Sequence, residues 1–310
     1  MTEVGHHTEV VSTGVAEITD VVVEEAPPRR SRNEIVYFAL RNRKLVIGLT
    51  VVLFFLALAI VGPWLTDAEP FEFGYPTGES PSSEHWLGTT SPGQDVFAQF
   101  VYGLRASFIV GAVAGIVAAV IGMVVGFTAG YRGGAVDDVL SMLTNVVLVI
   151  PTLAVLIVVS AYIGQGSLLG EAVLIGITSW PWAARAIRAQ TFSLATREFV
   201  SLARLTGRRG SKIIATEIAP NMSSYLMLVF ILLFGSSILI AATLDFLGLG
   251  PSNVMSLGLM LNLAVSNAAL QLEMWWWFIP PGLAITAIVG GLYVMNVGLD
   301  EIFNPKLRKT

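Results

Sequence analysis

The stretch REFVSLARLTGRRGSKIIATEIAPN, from Arg197 to Asn221, spaces its charged and apolar side chains as a recognition element would. At about 100° per residue, Leu194, Phe199, Leu202 and Leu205 fall roughly on one helical face, with Arg197, Glu198, Ser201 and Arg204 on the other. Gly207 stands where a helix C-terminus favours glycine. A second short helix, Ser211 to Ile218, is expected to stop near Pro220. Such a helix–turn–helix can insert an apolar face into a groove on a partner. The simpler alternative is a surface amphipathic helix resting in lipid headgroups.

Catalysis, in contrast, lacks its parts. Gly207-Arg208-Arg209-Gly210-Ser211-Lys212 has neither the residue order nor the preceding strand of a phosphate loop, so no ATP hydrolysis is expected from this chain. No HExxH or GxSxG occurs, and the absence of cysteine removes disulfides and thiolate metal sites. His6, His7 and His85 lie outside the apolar runs, so no buried imidazole relay is expected. Asp245, beside Phe246-Leu247-Gly248-Leu249-Gly250, is a candidate pathway or outer-gate residue, since a charge near a span is functional by default. A solvated helix end is its alternative reading. Asn145 and Asn262 are polar candidates to face a pore, and Glu171 and Glu273 read as interfacial.

These residues need elements to carry them. The chain is 54% hydrophobic and 13% charged, with a mean hydropathy of +0.72, and its apolar residues gather into runs of membrane-spanning length. The reading is an all-α integral membrane protein with six spans, about Leu45–Leu65, Ala106–Gly130, Val139–Gly164, Leu168–Ala184, Met222–Leu247 and Trp275–Val297. Pro151 interrupts the third, and a Gly164-Gln165-Gly166 turn separates it from the fourth. Residues 1–33 form an acidic tail, read as disordered and cytoplasmic, with no apolar run long enough for a signal peptide. Residues 34–310 form the transmembrane domain, with the loop at about 193–221 between spans four and five. Gly111, Gly115, Gly122, Gly126 and Gly130 place small residues on one helix face for close approach.

Basic residues fix the expected orientation. They precede the first span (Arg29, Arg30, Arg32, Arg41, Arg43, Lys44) and end the chain (Lys306, Arg308, Lys309). They also fill the loop after the fourth span, as Arg185, Arg188, Arg197, Arg204, Arg208, Arg209 and Lys212. The stretches Thr66–Leu104 and Gly248–Met274 contain none. The positive-inside rule then puts both termini and the loop in the cytoplasm. Trp64, Trp86 and Trp275-Trp276-Trp277 fall on the outer side, where such rings anchor at the interface.

The loop resembles the cytoplasmic motif of binding-protein-dependent ABC permeases, in which Glu-Ala-Ala, three residues, Gly and nine residues lead to Ile-x-Leu-Pro. Ser201-Leu202-Ala203, Gly207 and Pro220 stand at the matching spacings. Arg197-Glu198-Phe199-Val200, Ala203-Arg204 and Pro220-Asn221 are most similar to the dipeptide/oligopeptide branch. So are His85-Trp86-Leu87-Gly88-Thr89, Tyr102-Gly103-Leu104-Arg105-Ala106-Ser107, Trp180-Pro181, Phe246-Leu247-Gly248-Leu249-Gly250 and Asn304-Pro305-Lys306-Leu307. The departures are Ser201 at the docking glutamate, Leu202 at the first alanine, Glu217 where this branch often has histidine, and Thr90 and Gln94 where Asp and Arg are favoured.

The resemblance implies a non-catalytic, multi-pass permease of the bacterial inner membrane whose loop is a coupling helix. It implies a second homologous permease, one or two ABC ATPase subunits that bind ATP and Mg, an extracytoplasmic substrate-binding protein and membrane lipid as partners, with no nucleic acid and no cofactor of its own. Di- or oligopeptides are the implied substrates; nickel chelates, glutathione and haem use permeases of the same type. Glu198 is expected to replace the missing docking glutamate. The competing classes are a membrane scaffold and an ion-coupled secondary transporter. The transporter would want paired intramembrane carboxylates or helices broken at matching places in two halves.

Overall fold

The computed structural model describes residues 41–163 and 166–303. The expected N-terminal tail, Gly164 and Gln165 of the expected turn, and the basic C-terminal end lie outside the described residues. The regular structure among the described residues is helical, with one isolated antiparallel bridge between Thr89 and Asp95. Helices α1 (Arg43–Val61), α2 (Val96–Arg132), α3 (Gly134–Val149), α4 (Thr152–Ile163) and α5 (Leu168–Ala195) lead to the loop. The loop holds α6 (Glu198–Leu205), α7 (Gly210–Ile213), a π-turn (Ile214–Ile218) and α8 (Ala219–Asn221). Then follow α9 (Ser223–Phe246), α10 (Leu257–Ser266) and α11 (Trp275–Phe303).

Helix starts are set by side-chain caps. Oδ1 of Asn42 accepts from Leu45 N–H at 3.0 Å, and Oδ1 of Asp95 accepts from Ala98 N–H at 2.7 Å. Each satisfies a donor that the first turn leaves without a partner. Pro151 has no N–H and disfavours a helical Ile150, so the expected third span splits into α3 and α4, bent by 75°.

Among the described residues four helical stretches are long and apolar enough to cross a membrane: Arg43–Trp64, Val96–Arg132, Ser223–Phe246 and Trp275–Ile302. The bent α3–α4 pair makes a fifth if it counts as one span. Helix α5 occupies the expected fourth span but is more polar, carrying Glu171, Arg185 and Arg188. It runs on to Ala195, so Arg185 and Arg188 are helical, not loop residues as the apolar run suggested. The run ended at the first arginine, whereas the helix ends only where its packing does.

Helix α2 is the centre of the fold. Gly111 and Gly115 face α9, where a Cβ on Gly115 would lie 3.2 Å from Phe234 Cα. Gly122, Gly126 and Gly130 face α5: a Cβ on Gly126 would come within 2.8 Å of the Ala184 carbonyl oxygen and 2.9 Å of Ile187 Cβ. The small-residue stripe therefore serves two partners, and α5 answers with Gly176 against Val117 of α2. At that approach the contact is between backbones, the geometry small residues permit in lipid.

The segment between α1 and α2 is ordered without regular structure. His85 Nδ1 lies 2.8 Å from Asp95 Oδ2, both buried, which the histidine's position outside the apolar runs did not anticipate. Trp276 Nε1 donates to Thr89 O at 3.1 Å and Trp277 Nε1 donates to Gln99 Oε1 at 3.0 Å. Trp277 is fully buried and Trp276 nearly so, correcting their reading as interfacial anchors. Trp64, Trp86 and Trp275 are exposed as expected. A buried indole needs an acceptor for its N–H, and this segment supplies both.

Candidate coupling site and membrane cavity

The loop is built on a buried base. Val200 and Ala203 of α6 pack with Ile213, Ile218 and Met222 into one cluster with Ala118 and Ala119 of α2, Trp180, Ala183, Ala184 and Ile187 of α5, and Val229 and Leu233 of α9. The inward face of α6 is thus Val200 and Ala203 with half-buried Phe199, not the expected stripe through Leu202 and Leu205. On a helix wheel those leucines stand about 100–160° from Ala203, away from the base. Leu202 is 64% and Leu205 84% exposed, so α6 presents a second apolar face outward. Eight residues are too few to show two apolar faces by periodicity alone.

Local chemistry keeps this unit stiff. Gly207 takes φ +70°, a left-handed conformation costly to any residue with a Cβ, and its N–H bonds Arg204 O at 3.0 Å. The Arg204 guanidinium sits over the Tyr131 ring at 4.9 Å from its centroid. Tyr131, at the end of α2, also packs on Gly210, where an added Cβ would lie 2.7 Å from Cε1. Arg208 Nη1 donates to Glu217 Oε1 at 2.8 Å, and Asn221 Nδ2 donates to Glu217 O at 2.6 Å. Glu217 therefore ties the two halves of the loop together. Arg197, Glu198, Ser201 and Pro220 are exposed; Ser201 Oγ donates to Arg197 O at 3.4 Å.

Asn145 belongs to a polar cleft of about 260 Å³ between α2, α3 and α5. Its Oδ1 accepts from Arg185 Nη2 at 2.6 Å. One turn nearer the loop, Arg188 makes a bidentate pair with Asp137 of α3, Nε to Oδ1 and Nη2 to Oδ2, and Ser141 Oγ donates to Asp137 at 3.0 Å. Asp137 is not among the residues singled out from the sequence; its one signal there is an Asp137-Asp138 pair at the start of an apolar helix.

A second cavity, of about 380 Å³, lies where the α3–α4 bend meets α5, α9 and α11. Its wall is mainly apolar, with Trp182, Pro181 and Ile240, and carries Thr152, Thr178, Ser179, Ser236 and Tyr293 as polar handles. Thr178 and Ser236 spend their hydroxyls on carbonyls of their own helices, whereas Ser179 Oγ has no partner among the described residues.

The remaining candidates sit at the end of the bundle opposite the loop. Asn262 Nδ2 donates to Phe246 O at 2.8 Å, satisfying a carbonyl at the end of α9. Asp245 is buried and accepts from Ser256 Oγ at 2.5 Å. Glu171, in the first turn of α5, is buried too, and not exposed at the interface as its position near a span end suggested; neither of its carboxylate oxygens has a hydrogen-bond partner among the described residues. Glu273 is exposed.

Residues 118–309 match the family described as "Binding-protein-dependent transport system inner membrane component". The chain is 33% identical over 271 residues, 86% of its length and 88% of the relative's, to the dipeptide transport system permease protein DppC of Alkalihalophilus pseudofirmus. It is 31% identical to a putative peptide permease protein of Brucella suis, covering 90% of this chain and 91% of that one. With the oligopeptide transport system permease protein OppC of Bacillus subtilis it shares 28% identity over 86% of this chain and 87% of the relative. The match spans α5, the loop and every later helix, and the relatives extend it to α1. The chain belongs to the family of inner-membrane components of binding-protein-dependent transport systems, and is a multi-pass permease of the inner membrane.

Proposed function

We propose that the chain is one of two permease subunits of an ATP-driven importer of di- or oligopeptides. Six spans, α1, α2, the bent α3–α4, α5, α9 and α11, leave both termini and the loop in the cytoplasm. Residues 34–310 are the transmembrane domain, and the substrate class follows what DppC, OppC and the Brucella permease are named for. The basic loop and the base-free opposite segments support that orientation.

The observation that carries this reading is the two-faced loop. Leu202 and Leu205 stand exposed on a helix whose other face is packed onto α2, α5 and α9. An apolar pair on a rigid mount suits a cleft in an ATPase subunit, whose closure would then move three spanning helices together. With Glu217 engaged by Arg208, Glu198 is the exposed acid of α6 that would meet a basic residue there. ATP and Mg belong to that partner. The cavity of about 380 Å³ falls in the usual range for small-solute sites, and with the second permease it would form the path. A substrate-binding protein would deliver its load to the opposite, acidic end.

The test is reconstitution of the chain in proteoliposomes with the permease, ATPase and binding-protein partners encoded beside it. Peptide uptake should require ATP. Leu202→Asp with Leu205→Asp should cut peptide-stimulated hydrolysis about tenfold or more, equal to roughly 1.4 kcal/mol of docking, with thermal stability unchanged. Uptake driven by an ion gradient without ATP, or full coupling in the double variant, would overturn the reading.

A further inference from the structure

The apolar cavity and the polar cleft are consecutive stations on one seam. Helices α3 and α5 run antiparallel, and two contacts set their register. Arg185 Nη2 donates to Asn145 Oδ1 at 2.6 Å, and Arg188 pairs with Asp137 nearer the loop. One turn from Asn145 and Arg185 in the other direction, Leu148 and Trp182 line the cavity of about 380 Å³. Asn145 and Arg185 themselves line the cleft of about 260 Å³. Three helical residues advance about 4.5 Å, so the cleft begins one turn beyond the cavity, toward the loop.

The two stations differ in charge. Every side chain lining the cavity is neutral, so nothing there answers a formal charge on a solute. In the cleft, Arg188 is neutralised by Asp137, whose oxygens accept from its guanidinium and from Ser141 Oγ. Arg185 has no such partner. Its one hydrogen bond goes to a neutral amide, and no acid pairs with it among the described residues. The other acid of α3, Asp138, is exposed and lies two turns, about 10 Å along the helix, from Asn145. Arg185 Nε and Nη1 and Asn145 Nδ2 therefore keep donors without acceptors among the described residues. The Thr144 hydroxyl does not compete, being spent on Leu140 O at 2.7 Å. A guanidinium with free donors beside a free amide is complementary to an oxyanion.

We propose that Arg185 and Asn145 form a binding site for the terminal carboxylate of the transported peptide. The site serves the importer proposed above, and its assignment rests on that reading. A carboxylate is an anion that every linear peptide carries, whatever its side chains. A dipeptide extends about 7 Å, so with its carboxylate on Arg185 its body reaches back past Leu148 and Trp182 into the neutral cavity. The peptide is thereby held with its carboxylate end toward the loop. A lipid phosphate offers the same oxyanion chemistry; the direct continuation of the seam from the cavity favours the solute.

The test reads the site directly, with the full chain in maltoside micelles that carry no phosphate. Arginine labelled with nitrogen-15 at Nε gives side-chain NMR signals, and the one lost in Arg185→Lys belongs to Arg185. Dialanine should shift that signal. Dialanine amide, which lacks the carboxylate, should need about tenfold more for the same shift, equal to roughly 1.4 kcal/mol. In the reconstituted importer, Arg185→Gln should cut ATP-driven dialanine uptake about tenfold, whereas Arg185→Lys, which keeps the charge, should retain most of it. Equal responses to acid and amide, or no response to either, would overturn the site. A signal moved by phosphatidylglycerol and unmoved by dialanine would assign the cleft to lipid phosphate and overturn it equally. An Arg185 response to dialanine in a chain that imports no peptide under ATP would uphold the site and sink the importer reading. Uptake unchanged by Arg185→Gln would do the reverse.

Discussion

Helix α5 carries ionisable groups at both ends, and the two ends house them in opposite ways. Toward the loop, Arg188 meets Asp137 of α3 through two parallel hydrogen bonds, with Ser141 completing the carboxylate's shell. Opposite charges with matched planar geometry need no proton, and the part-exposed position keeps the desolvation cost low. At the far end Glu171 is buried with no hydrogen-bond partner among the described residues, while Asp245 of α9, also buried, accepts from Ser256 Oγ. The lesson is that one helix can be fastened through matched opposite charges at one end and hold an unpartnered acid inside its packing at the other.

The comparison breaks most severely if α5 is pushed off α2 near the clamp. Gly126→Leu would drive a side chain into the Ala184 carbonyl and Ile187, costing about 3 kcal/mol or more, and should abolish the folded permease in size-exclusion profiles. Gly282, with nothing within 4 Å of an added Cβ, gives the neutral control as Gly282→Ala. Next, Asp137→Ala leaves Arg188 without its partner and should lower stability by about 2 kcal/mol, read as a thermal shift that is the same at neutral and mildly alkaline pH. A shift that grew with pH would mean that the two ends are not separate. Gly207→Ala forces a Cβ into φ +70° and should cost about 1 kcal/mol, with weaker ATPase coupling as its functional readout. Smallest, Arg208→Gln breaks an exposed pair and should change stability by no more than about 0.5 kcal/mol. A larger loss would show that the Glu217 tie, and not the buried base, sets the stiffness of the loop.

How much of this was readable in the chain can be judged residue by residue. Gly207 and the segment ending at Pro220 marked the loop because turn glycines and helix-stopping prolines act within a few residues. Pro151 marked the bend for the same local reason. The glycine stripe announced close packing but not its division between α9 and α5. Leu202 and Leu205 were visible as apolar, yet which face of α6 turned inward depended on Ile213, Ile218 and the three spans beneath, all remote or across a turn. Trp276 and Trp277 followed the interfacial habit of tryptophan until Thr89 and Gln99, nearly two hundred residues earlier, supplied acceptors.

The sequence by itself determined the helical membrane class, the family and the glycine-and-proline frame of the loop, because hydropathy, turn chemistry and motif spacing are local or additive along the chain. Only the tertiary structure decided which charges meet. Asp137 finds Arg188 across 51 positions, and Trp277 finds Gln99 across 178, because burial and pairing are properties of neighbours in space that no linear spacing encodes.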